Sequence, residues 1–378
     1  MKIAIVGNYG NNNNGDEAIL CGITEQLTKL GVNKEDVTVF SNNPQNTKDR
    51  MNLTSVPLIV KRKNKIKSIL LTIIHHYKIM RDFDVVIIGG GGLLMDLYLR
   101  DLPIYYTIGL FGKLRKNKIL IYGVGVGPLS TKLGKFLVKN LTDIASTISV
   151  RDENSKLLLK HIGVKKEVAV IGDPAFSNKV PSTKEKKDLM KVGVTAVPYF
   201  SKDYWPVHDE VKYNSFVNSF AANLDKLIQD SNAELIFFST KYPEDVKVTE
   251  DIYKQLVNKE RASINVNNMK PNELIELTAD LDLVIGTRLH SLIISILTKT
   301  PVIGIEYHNK VKDFMEEVNL PEYSLSIEVL SRNNNSIERL YTELNKDINW
   351  TNNKIESISN QFVLKETQGL EQIKQYIR

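Results

Sequence analysis

Short apolar segments alternate with longer amphipathic segments along most of this 378-residue chain. The first apolar segment, Lys2–Val6, predicts a strand, and a helix is expected to begin at about Asp16 after a loop rich in Gly and Asn. The apolar positions of that helix recur every three or four residues, at Ile19, Ile23, Leu27 and Leu30. The alternation is typical of an α/β protein.

The same pattern predicts a series of further strands in both halves of the chain. They are Val37–Phe40, Val85–Ile88, Ile119–Tyr122 and Thr147–Val150, and then Val192–Val197, Leu235–Ser239, Leu283–Gly286 and Val302–Ile305. Continuous Val and Ile runs, without strict alternation of apolar and polar residues, indicate strands buried on both faces and therefore parallel sheets. The stretch from Ser336 onward is predicted to be mostly helical.

A charged segment separates the two series of strands. Ser177–Met190 contains Pro181 and breaks the apolar pattern, so we expect a domain boundary there. We predict an N-terminal domain over 1–180, a C-terminal domain over 191–345, and a helical segment over 346–378 that packs back on the N-terminal domain. The two halves predict two Rossmann-like domains facing each other across a cleft, with ligands bound beyond the carboxyl ends of the strands.

Composition narrows the protein class. Apolar residues make up 42% and charged residues 25%, which excludes a disordered or collagen-like chain. A single cysteine, Cys21, excludes a disulfide framework and a thiolate zinc cluster, and no other residue spacing predicts a metal site. The net charge of +6 indicates an anionic partner, while the basic segment Lys61–Arg81 has too low an aromatic content to predict a nucleic-acid surface.

No targeting or membrane-spanning segment is predicted, so we expect a cytoplasmic protein. The apolar run at the start is shorter than the ~7–15 residues of a signal-peptide core, and no stretch reaches the ~18–20 apolar residues of a membrane span. The predicted helix in Lys61–Arg81 has basic ends and an apolar stripe, Ile66, Ile69, Leu70, Ile73, Ile74 and Tyr77. We expect this stripe to be buried and the lysines solvated; a peripheral contact with anionic lipid is the alternative.

Two loops of the N-terminal half are candidates for binding a neutral sugar. The loop Gly7–Glu17 opens a helix, but its acidic end would repel a phosphate; a turn with a helix cap is the structural alternative. From it we select Asn14, Asp16 and Glu17. Four consecutive glycines precede Asp96, and since they carry a conformational cost we expect them to lie beside a ligand. Gly91 and Asp96 are the candidates there, although Asp96 could instead cap local structure.

Two further motifs also follow strands in this half. The run Gly123–Pro128 fits either tight packing or a ligand loop. Arg151 precedes a helix, where its guanidinium can offer a two-pronged contact to phosphate or carboxylate. The alternative is a structural ion pair of Arg151 with Asp152 or Asp173.

The C-terminal half carries the most informative motif, Ile285–Ser291. Arg288 and His290 stand where a helix begins, and positive charge there opposes the helix dipole unless an anion is present. Both can face one ligand only if the helix has barely begun. Lys310 follows the next strand and could add a further cation; its alternative is a solvated surface lysine.

Together these motifs resemble the polysaccharide pyruvyl transferase family over roughly Lys2–Phe314. The resemblance rests on the order and spacing of GNYGNNNNGDEAIL, GGGGLLMD, GVGVGPL, SVRDENS, DPA, TRLHSL and a strand ending in Tyr307 and Lys310. It implies a fold of the GT-B glycosyltransferase type and donor-site cations at Arg151, His290 and Lys310. Relatives often have Tyr-Asp-Pro-Lys where this chain has Tyr307-His308-Asn309-Lys310.

The resemblance implies an enzyme that moves pyruvate from phosphoenolpyruvate to two hydroxyls of a cell-envelope or exopolysaccharide sugar as a ketal, releasing phosphate. Our hypothesis assigns Arg151, Arg288 and Lys310 to donor binding and His290 to general acid catalysis, with no cofactor beyond the donor substrate. The expected acceptor is a sugar or a lipid-linked saccharide, and a lipid-linked acceptor would place the reaction at the inner face of the membrane. The alternatives are a glycosyltransferase using a nucleotide sugar and a non-catalytic sugar- or anion-binding relative.

Overall fold

A computed structural model describes residues 1–97, 100–182 and 190–377 of the chain. The described residues form two compact units. Unit 1 comprises Met1–Asn11, Asp16–Lys179 and Phe362–Arg378, and unit 2 comprises Asn12–Gly15 and Val180–Gln361. Part of the predicted boundary segment Ser177–Met190, residues 183–189, lies outside the described residues.

Unit 1 is built on one parallel sheet of seven strands in the order β3-β2-β1-β4-β5-β6-β7. The strands are β1 Ile3–Tyr9, β2 Val37–Ser41, β3 Thr54–Pro57, β4 Val85–Gly89, β5 Lys118–Val124, β6 Thr147–Val150 and β7 Ala169–Val170. The helices are α1 Asn14–Lys29, α2 Pro44–Met51, α3 Lys65–Ile79, α4 Asp101–Leu114, α5 Lys132–Ile144 and α6 Glu153–His161, with 3-10 turns at Lys34–Asp36, Met80–Asp82 and Pro174–Ser177.

Unit 2 contains a parallel sheet of six strands in the order β10-β9-β8-β11-β12-β13. The strands are β8 Lys191–Thr195, β9 Glu234–Phe238, β10 Ala262–Asn265, β11 Leu283–Gly286, β12 Val302–Glu306 and β13 Ser324–Ser326. The helices are α7 Glu210–Asp230, α8 Glu244–Gln255, α9 Pro271–Asp280, α10 Leu289–Leu297, α11 Asn309–Glu317, α12 Ile327–Arg332 and α13 Ser336–Lys346, with 3-10 turns at Lys259–Arg261 and Pro321–Tyr323. The last helix, α14 Ile348–Lys374, begins in unit 2 and belongs to unit 1 from Phe362 onward.

Both sheets follow the doubly wound plan that the sequence predicts. In each, the strand order reverses beside the first strand of the sheet, between β1 and β4 in unit 1 and between β8 and β11 in unit 2. The central strands are almost wholly buried because helices cover both faces, which explains their unbroken Val and Ile runs. Loops after the carboxyl ends of these strands are therefore where each unit can hold a ligand.

Four strands escaped prediction, and they are the four outer strands of the two sheets: β3, β7, β10 and β13. They are two to four residues long, and most of their side chains are only half-buried. An outer strand needs less apolar sequence because one of its edges has no neighbour to exclude water.

The prediction for the stripe on α3 was wrong. All six of its side chains are exposed, by 40–69% of their surface. The buried positions of α3 are Thr72 and His76. The polar side of α3 therefore faces the rest of unit 1. The spacing of three or four residues correctly predicted a helix with one apolar face, but it could not show which face of the helix is buried. No helix in the described ranges is both long and apolar enough to cross a lipid bilayer.

Candidate functional site

In each unit the polar motifs stand at the carboxyl ends of neighbouring strands. In unit 1 they follow β1, β4, β5 and β6, and in unit 2 they follow β9, β11 and β12. Strands β8, β9, β11 and β12 are adjacent in their sheet, so the loops after them share one edge. A group of charged and aromatic side chains lies at this edge of unit 2.

The centre of this group is a buried ion pair between Arg288 and Asp245. Nε of Arg288 lies 3.1 and 3.2 Å from the two carboxylate oxygens, and Nη2 donates a further bond to the same carboxylate. Nη1 donates to the hydroxyl of Tyr204 at 3.0 Å. Burial alone would lower the pKa of Arg288, but the Asp245 carboxylate outweighs it and raises that pKa, so the guanidinium stays charged.

This pair qualifies the sequence argument for Arg288. Arg288 is the N-cap of α10, and the anion expected beside a positive charge at a helix start is, in this structure, a carboxylate from the chain itself. The guanidinium is therefore fixed in place by Asp245 and Tyr204. A donor-binding role for Arg288 remains a prediction. In that role the guanidinium would contact the donor while Asp245 and Tyr204 hold it in place.

His290 lies in the first turn of α10, two residues after the N-cap. Its ring packs against the backbone of Gly15, where an added Cβ would approach Nδ1 to 2.2 Å. The segment Asn12–Gly15 is held in unit 2 by the loop after β9: Asn14 N–H donates to Thr240 O at 2.8 Å, and Tyr242 N–H donates to Asn12 O at 3.0 Å. Gly15, the third glycine of the asparagine-rich loop, therefore leaves room for the imidazole because it has no side chain.

This geometry also locates Asn14, which was predicted to bind the acceptor. Asn14 is buried and begins α1. Neighbouring Asn13 forms an isolated antiparallel bridge with Lys241. The segment around Asn14 thus packs against His290 within unit 2.

The loop after β12 shows how this chain accommodates its departure from the family pattern. His308 is the N-cap of α11, and its Nδ1 accepts a hydrogen bond from Lys310 N–H at 3.2 Å. An aspartate at this position would be a common N-cap, and His308 supplies the acceptor instead. Burial, and then the charge of Lys310, lower the pKa of His308, which favours the neutral ring that such a cap requires. Lys310 is half-buried in the first turn of α11.

Aromatic side chains complete the group in unit 2. Tyr307 packs edge-on against Trp205, with ring centroids 6.1 Å apart, and burial raises the pKa of Tyr307. Nζ of Lys241 lies 4.7 Å from the ring centre of Tyr204 and 3.3 Å from Glu244. Guanidinium, ammonium, imidazole and phenol groups are thus concentrated at the carboxyl ends of β9, β11 and β12, which suits anion binding and proton donation.

Sequence reasoning missed Asp245, Tyr204 and Lys241. Two of them follow β9 directly, in the run Lys241-Tyr-Pro-Glu-Asp245. The rule that selected the other motifs, polar residues at the carboxyl end of a predicted strand, would also have selected this run. Tyr204 carried no such signal because it lies in a loop nine residues beyond β8.

In unit 1, Arg151 follows β6 and makes both of the ion pairs considered as its structural alternative. Its Nε lies 3.2 Å from Asp152 and its Nη1 lies 3.6 Å from Asp173. Asp152 is itself the N-cap of α6 and accepts from Ser155 N–H at 2.7 Å. The side chain of Arg151 is 13% exposed, so the carboxylates restrain the guanidinium, and its role in donor binding stays a prediction.

The acidic end of the loop after β1 divides into two environments. Asp16 accepts a hydrogen bond from the Asn8 amide at 2.9 Å, and a Cβ added at Gly91 would lie 3.1 Å from its carboxylate. Asp16 and Gly91, both predicted to bind the acceptor, are therefore close together. Glu17 is buried and forms an ion pair with Arg50 Nε at 2.9 Å, which gives it a structural role.

For Asp96 the sequence left open a ligand-binding role and a role in capping local structure, and the contacts of its carboxylate are those of the second. Its carboxylate accepts bonds from Ser130 N–H at 2.9 Å, Thr131 N–H at 2.6 Å and the Thr131 hydroxyl at 2.8 Å. Burial acts to raise the pKa of Asp96, but these hydrogen bonds together lower it. Asp96 therefore fastens the loop after β4 to the start of α5.

No group of three or more His, Cys, Asp or Glu side chains is placed to hold a metal ion within the described ranges.

Comparison with known proteins gives findings of three kinds: a family match, a related protein and similar solved structures. A family model for polysaccharide pyruvyl transferase matches residues 13–309. The amylovoran biosynthesis protein AmsJ of Erwinia amylovora is 24% identical, covering 87% of this chain and 89% of AmsJ.

Solved structures with the same architecture are more distant in sequence. HepE of Anabaena, solved with UDP and glucose, superposes with a TM-score of 0.63 at 12% identity over 99% of each chain. A putative UDP-N-acetylglucosamine 2-epimerase of Listeria monocytogenes gives a TM-score of 0.66 at 13% identity, over 98% of this chain and 94% of that one. These likenesses confirm the predicted fold class, two parallel-sheet α/β domains of the GT-B kind.

Proposed function

Because the chain belongs to the polysaccharide pyruvyl transferase family, we propose that it transfers pyruvate from phosphoenolpyruvate to two hydroxyls of a saccharide, as a ketal, and releases phosphate. The family and the amylovoran relative support a transferase that modifies a polysaccharide. In this proposal the acceptor is a sugar of a cell-envelope polysaccharide or exopolysaccharide, free or lipid-linked. The reaction takes place in the cytoplasm, at the inner face of the membrane when the acceptor is lipid-linked.

The observation that carries the proposal is the arrangement at the start of α10. A buried guanidinium, held by Asp245 and Tyr204, stands two residues before an imidazole packed on the Gly15 backbone. Phosphoenolpyruvate combines a phosphate and a carboxylate in one small molecule, and charge-assisted hydrogen bonds to such groups are about twice as strong as neutral ones. A fixed cation beside a group able to deliver a proton is what this donor needs.

We assign the first proton transfer to His290. Protonation of the methylene carbon turns it into a methyl group and leaves C2 electron-deficient. One sugar hydroxyl then forms a bond to C2 and loses its proton, phosphate departs with the C2–O bond electrons, and the second hydroxyl closes the ketal with loss of its proton. A bound polyanion favours the protonated imidazole that begins this sequence.

The base that accepts the hydroxyl protons is proposed among three carboxylates. Glu17 is paired with Arg50, and Asp96 is committed to the loop before α5. We therefore retain Asp16, which lies beside Gly91, as the candidate base.

The proposal is tested with His290→Ala, using His161→Ala as the matched control because His161 is exposed at the end of α6. We expect the His290 variant to lose about 10²–10⁴-fold in turnover, the usual contribution of a general acid, with an unchanged circular dichroism spectrum. Phosphate release and the mass gain of a pyruvate ketal on candidate glycans are measured together. Near-normal turnover of His290→Ala would remove the assignment.

The same assay separates the alternatives. A glycosyltransferase would transfer the sugar of a nucleotide donor to the glycan without releasing phosphate from phosphoenolpyruvate. A non-catalytic relative would bind glycan or phosphoenolpyruvate without releasing phosphate. Either result contradicts the proposed transfer.

Arg151 provides a second prediction. Arg151→Ala should raise the KM for phosphoenolpyruvate more than it lowers kcat, because a charge that holds the donor acts mainly in binding. Lys156→Ala on α6 is the control, since its ammonium pairs with Glu153 on the same helix. An unchanged donor KM would assign Arg151 to its ion pairs with Asp152 and Asp173 alone.

A further inference from the structure

The outward face of α3 is an apolar stripe that is exposed in the part of the chain that the structure describes, and Tyr77 at its end packs against Phe111 and the Arg115 guanidinium. Six side chains spaced three or four residues apart form it: Ile66, Ile69, Leu70, Ile73, Ile74 and Tyr77. Scattered exposed apolar residues are normal, but a contiguous stripe along about three turns of one helix marks an interaction surface.

The inward face of α3 shows that this orientation is fixed by the fold. Ser68 donates its hydroxyl to Val60 O at 2.6 Å, and Val60 N–H donates to the Thr72 hydroxyl at 3.0 Å. The ring of His76 is hydrogen-bonded to Leu58 O at 3.0 Å, and burial lowers the pKa of His76 to about 4. These bonds give hydrogen-bond partners to backbone groups of Leu58 and Val60. If α3 were rotated to bury its apolar face, all of these bonds would be broken.

The charged residues within the segment that carries the stripe are all of one sign. Lys61–Arg81 contains seven Lys and Arg residues and no Asp or Glu. Five of the cations, Lys61, Arg62, Lys63, Lys65 and Lys67, stand at or before the first turn of α3, and Lys78 and Arg81 stand at its end; all seven are exposed. The stripe thus begins beside a cluster of five cations and ends near Lys78, while Arg81 pairs with Asp82 at 3.3 Å.

We propose that α3 docks unit 1 on an anionic phospholipid bilayer, with the stripe entering the headgroup region and the cations contacting lipid phosphates. Such binding grows with buried apolar area and with attraction to anionic lipid, and this helix provides both. A second copy of the chain fits less well, because pairing two stripes would bring like charges together. Aliphatic side chains do not offer the stacking surfaces that nucleic acids need.

This proposal is independent of the proposed reaction, and its test requires no substrate. The full chain is sedimented with vesicles of phosphatidylcholine alone and of phosphatidylcholine mixed with phosphatidylglycerol. We expect binding to the mixed vesicles that weakens as salt is raised, because the cations are solvent-exposed and therefore screened. Equal binding to both vesicle types, or none to either, would overturn the proposal.

Matched variants assign any binding to α3. Ile69→Gln with Leu70→Gln removes two side chains of the stripe, exposed by 59% and 55%. The control is Leu157→Gln with Leu364→Gln, two unit-1 leucines exposed by 59% and 60% on α6 and α14. We expect the stripe variant to bind mixed vesicles about tenfold more weakly and the control to bind like the parent. Equal loss in both variants would contradict the assignment.

Charge and oligomeric state provide the remaining outcomes. Lys63→Glu with Lys65→Glu should abolish the preference for phosphatidylglycerol while the thermal unfolding temperature stays that of the parent. Sedimentation velocity without lipid should give a distribution that the stripe variant leaves unchanged. A dimer that dissociates in the stripe variant would show that a second copy covers this face, and would overturn the membrane assignment.

Discussion

Single residues at the site are held by partners far away in the sequence. Arg288 is positioned by Asp245, 43 residues earlier, and Glu17 is paired with Arg50, 33 residues later. The sequence identified Arg288 and His290 because a cation at a helix start is unusual wherever it occurs. It could not identify the acid that neutralises Arg288, because only the adjacency of β9, β8 and β11 in the sheet brings the loop after β9 to α10.

The pairing predicts a large stability effect for Asp245→Asn. The variant keeps an acceptor for Lys241 N–H, now bonded at 3.0 Å, but leaves the buried guanidinium without a counter-charge. Removing one partner of a buried pair costs about 3–5 kcal/mol, so we expect a loss of that order in the free energy of unfolding, measured in urea.

Glu244→Gln is the control for that measurement. Its ion pair with Lys241 is more exposed, so the change should stay within about 1 kcal/mol. Similar losses in the two variants would show that the Arg288 pair is not specially stabilising.

At the level of elements, the loops after β4 and β5 support each other. Gly125 N–H donates to Gly91 O at 2.7 Å and Gly127 N–H donates to Leu94 O at 2.8 Å. The four glycines were predicted to lie beside a ligand, and part of their role is visible without one. Gly90 has φ of +71°, and a Cβ added there would approach Ile19 Cγ2 to 1.8 Å.

We therefore expect Gly90→Ala to be more destabilising than Gly31→Ala. Gly31 also has positive φ, but a Cβ there would meet no atom within 4 Å. The left-handed backbone costs about 1–2 kcal/mol in both variants, and crowding against Ile19 adds about 1–3 kcal/mol at Gly90 alone. Urea unfolding of the two variants measures the difference, and equal losses would show that the loop can move away from α1.

The elements also show what sequence pattern can and cannot reveal. Thr147–Val150 and Leu283–Gly286 were predicted with the bounds that the structure has, because strands buried on both faces need unbroken apolar runs. The outer strands β7 and β13 had no such requirement and were missed. The stripe on α3 was detected through its period, but a period does not say which side of a helix meets the protein.

At the level of the whole molecule, the chain ends by returning to unit 1. The part of α14 from Phe362 onward belongs to that unit, and Phe362 stacks on Phe176 with ring centroids 4.8 Å apart. Beside it, the buried Glu366 accepts bonds from the Gln26 amide at 2.8 Å and the Ser177 hydroxyl at 3.3 Å. Burial, and then the charge of Asp173, raise the pKa of Glu366 well above its ordinary value.

This shift gives the protein a pH dependence of stability with a defined sign. The unfolded chain releases the Glu366 proton near pH 4.3, whereas the folded chain keeps it to higher pH. Glu366 therefore contributes fully to stability only below about pH 4, and its contribution falls as the pH rises through the window between the two pKa values.

We expect Glu366→Gln, which keeps an acceptor but cannot ionise, to raise the unfolding temperature at neutral pH and to match the parent near pH 4. Glu371→Gln is the control, since Glu371 is exposed and paired with Lys374 at 2.9 Å. Thermal unfolding across this range measures the effect. A difference between Glu366→Gln and the parent that does not change with pH would contradict the assignment.

The hydrogen bonds beneath α3 have a consequence for how the protein would reach a bilayer. Many surface-seeking peptides are coils in water and become helical only on contact with lipid, so that ordering the backbone opposes their adsorption. Here Ser68, Thr72 and His76 hold the helix already formed and already facing outward. Adsorption would therefore leave the far-ultraviolet circular dichroism of the protein unchanged, and the full gain from transferring the aliphatic groups out of water would be available for attachment.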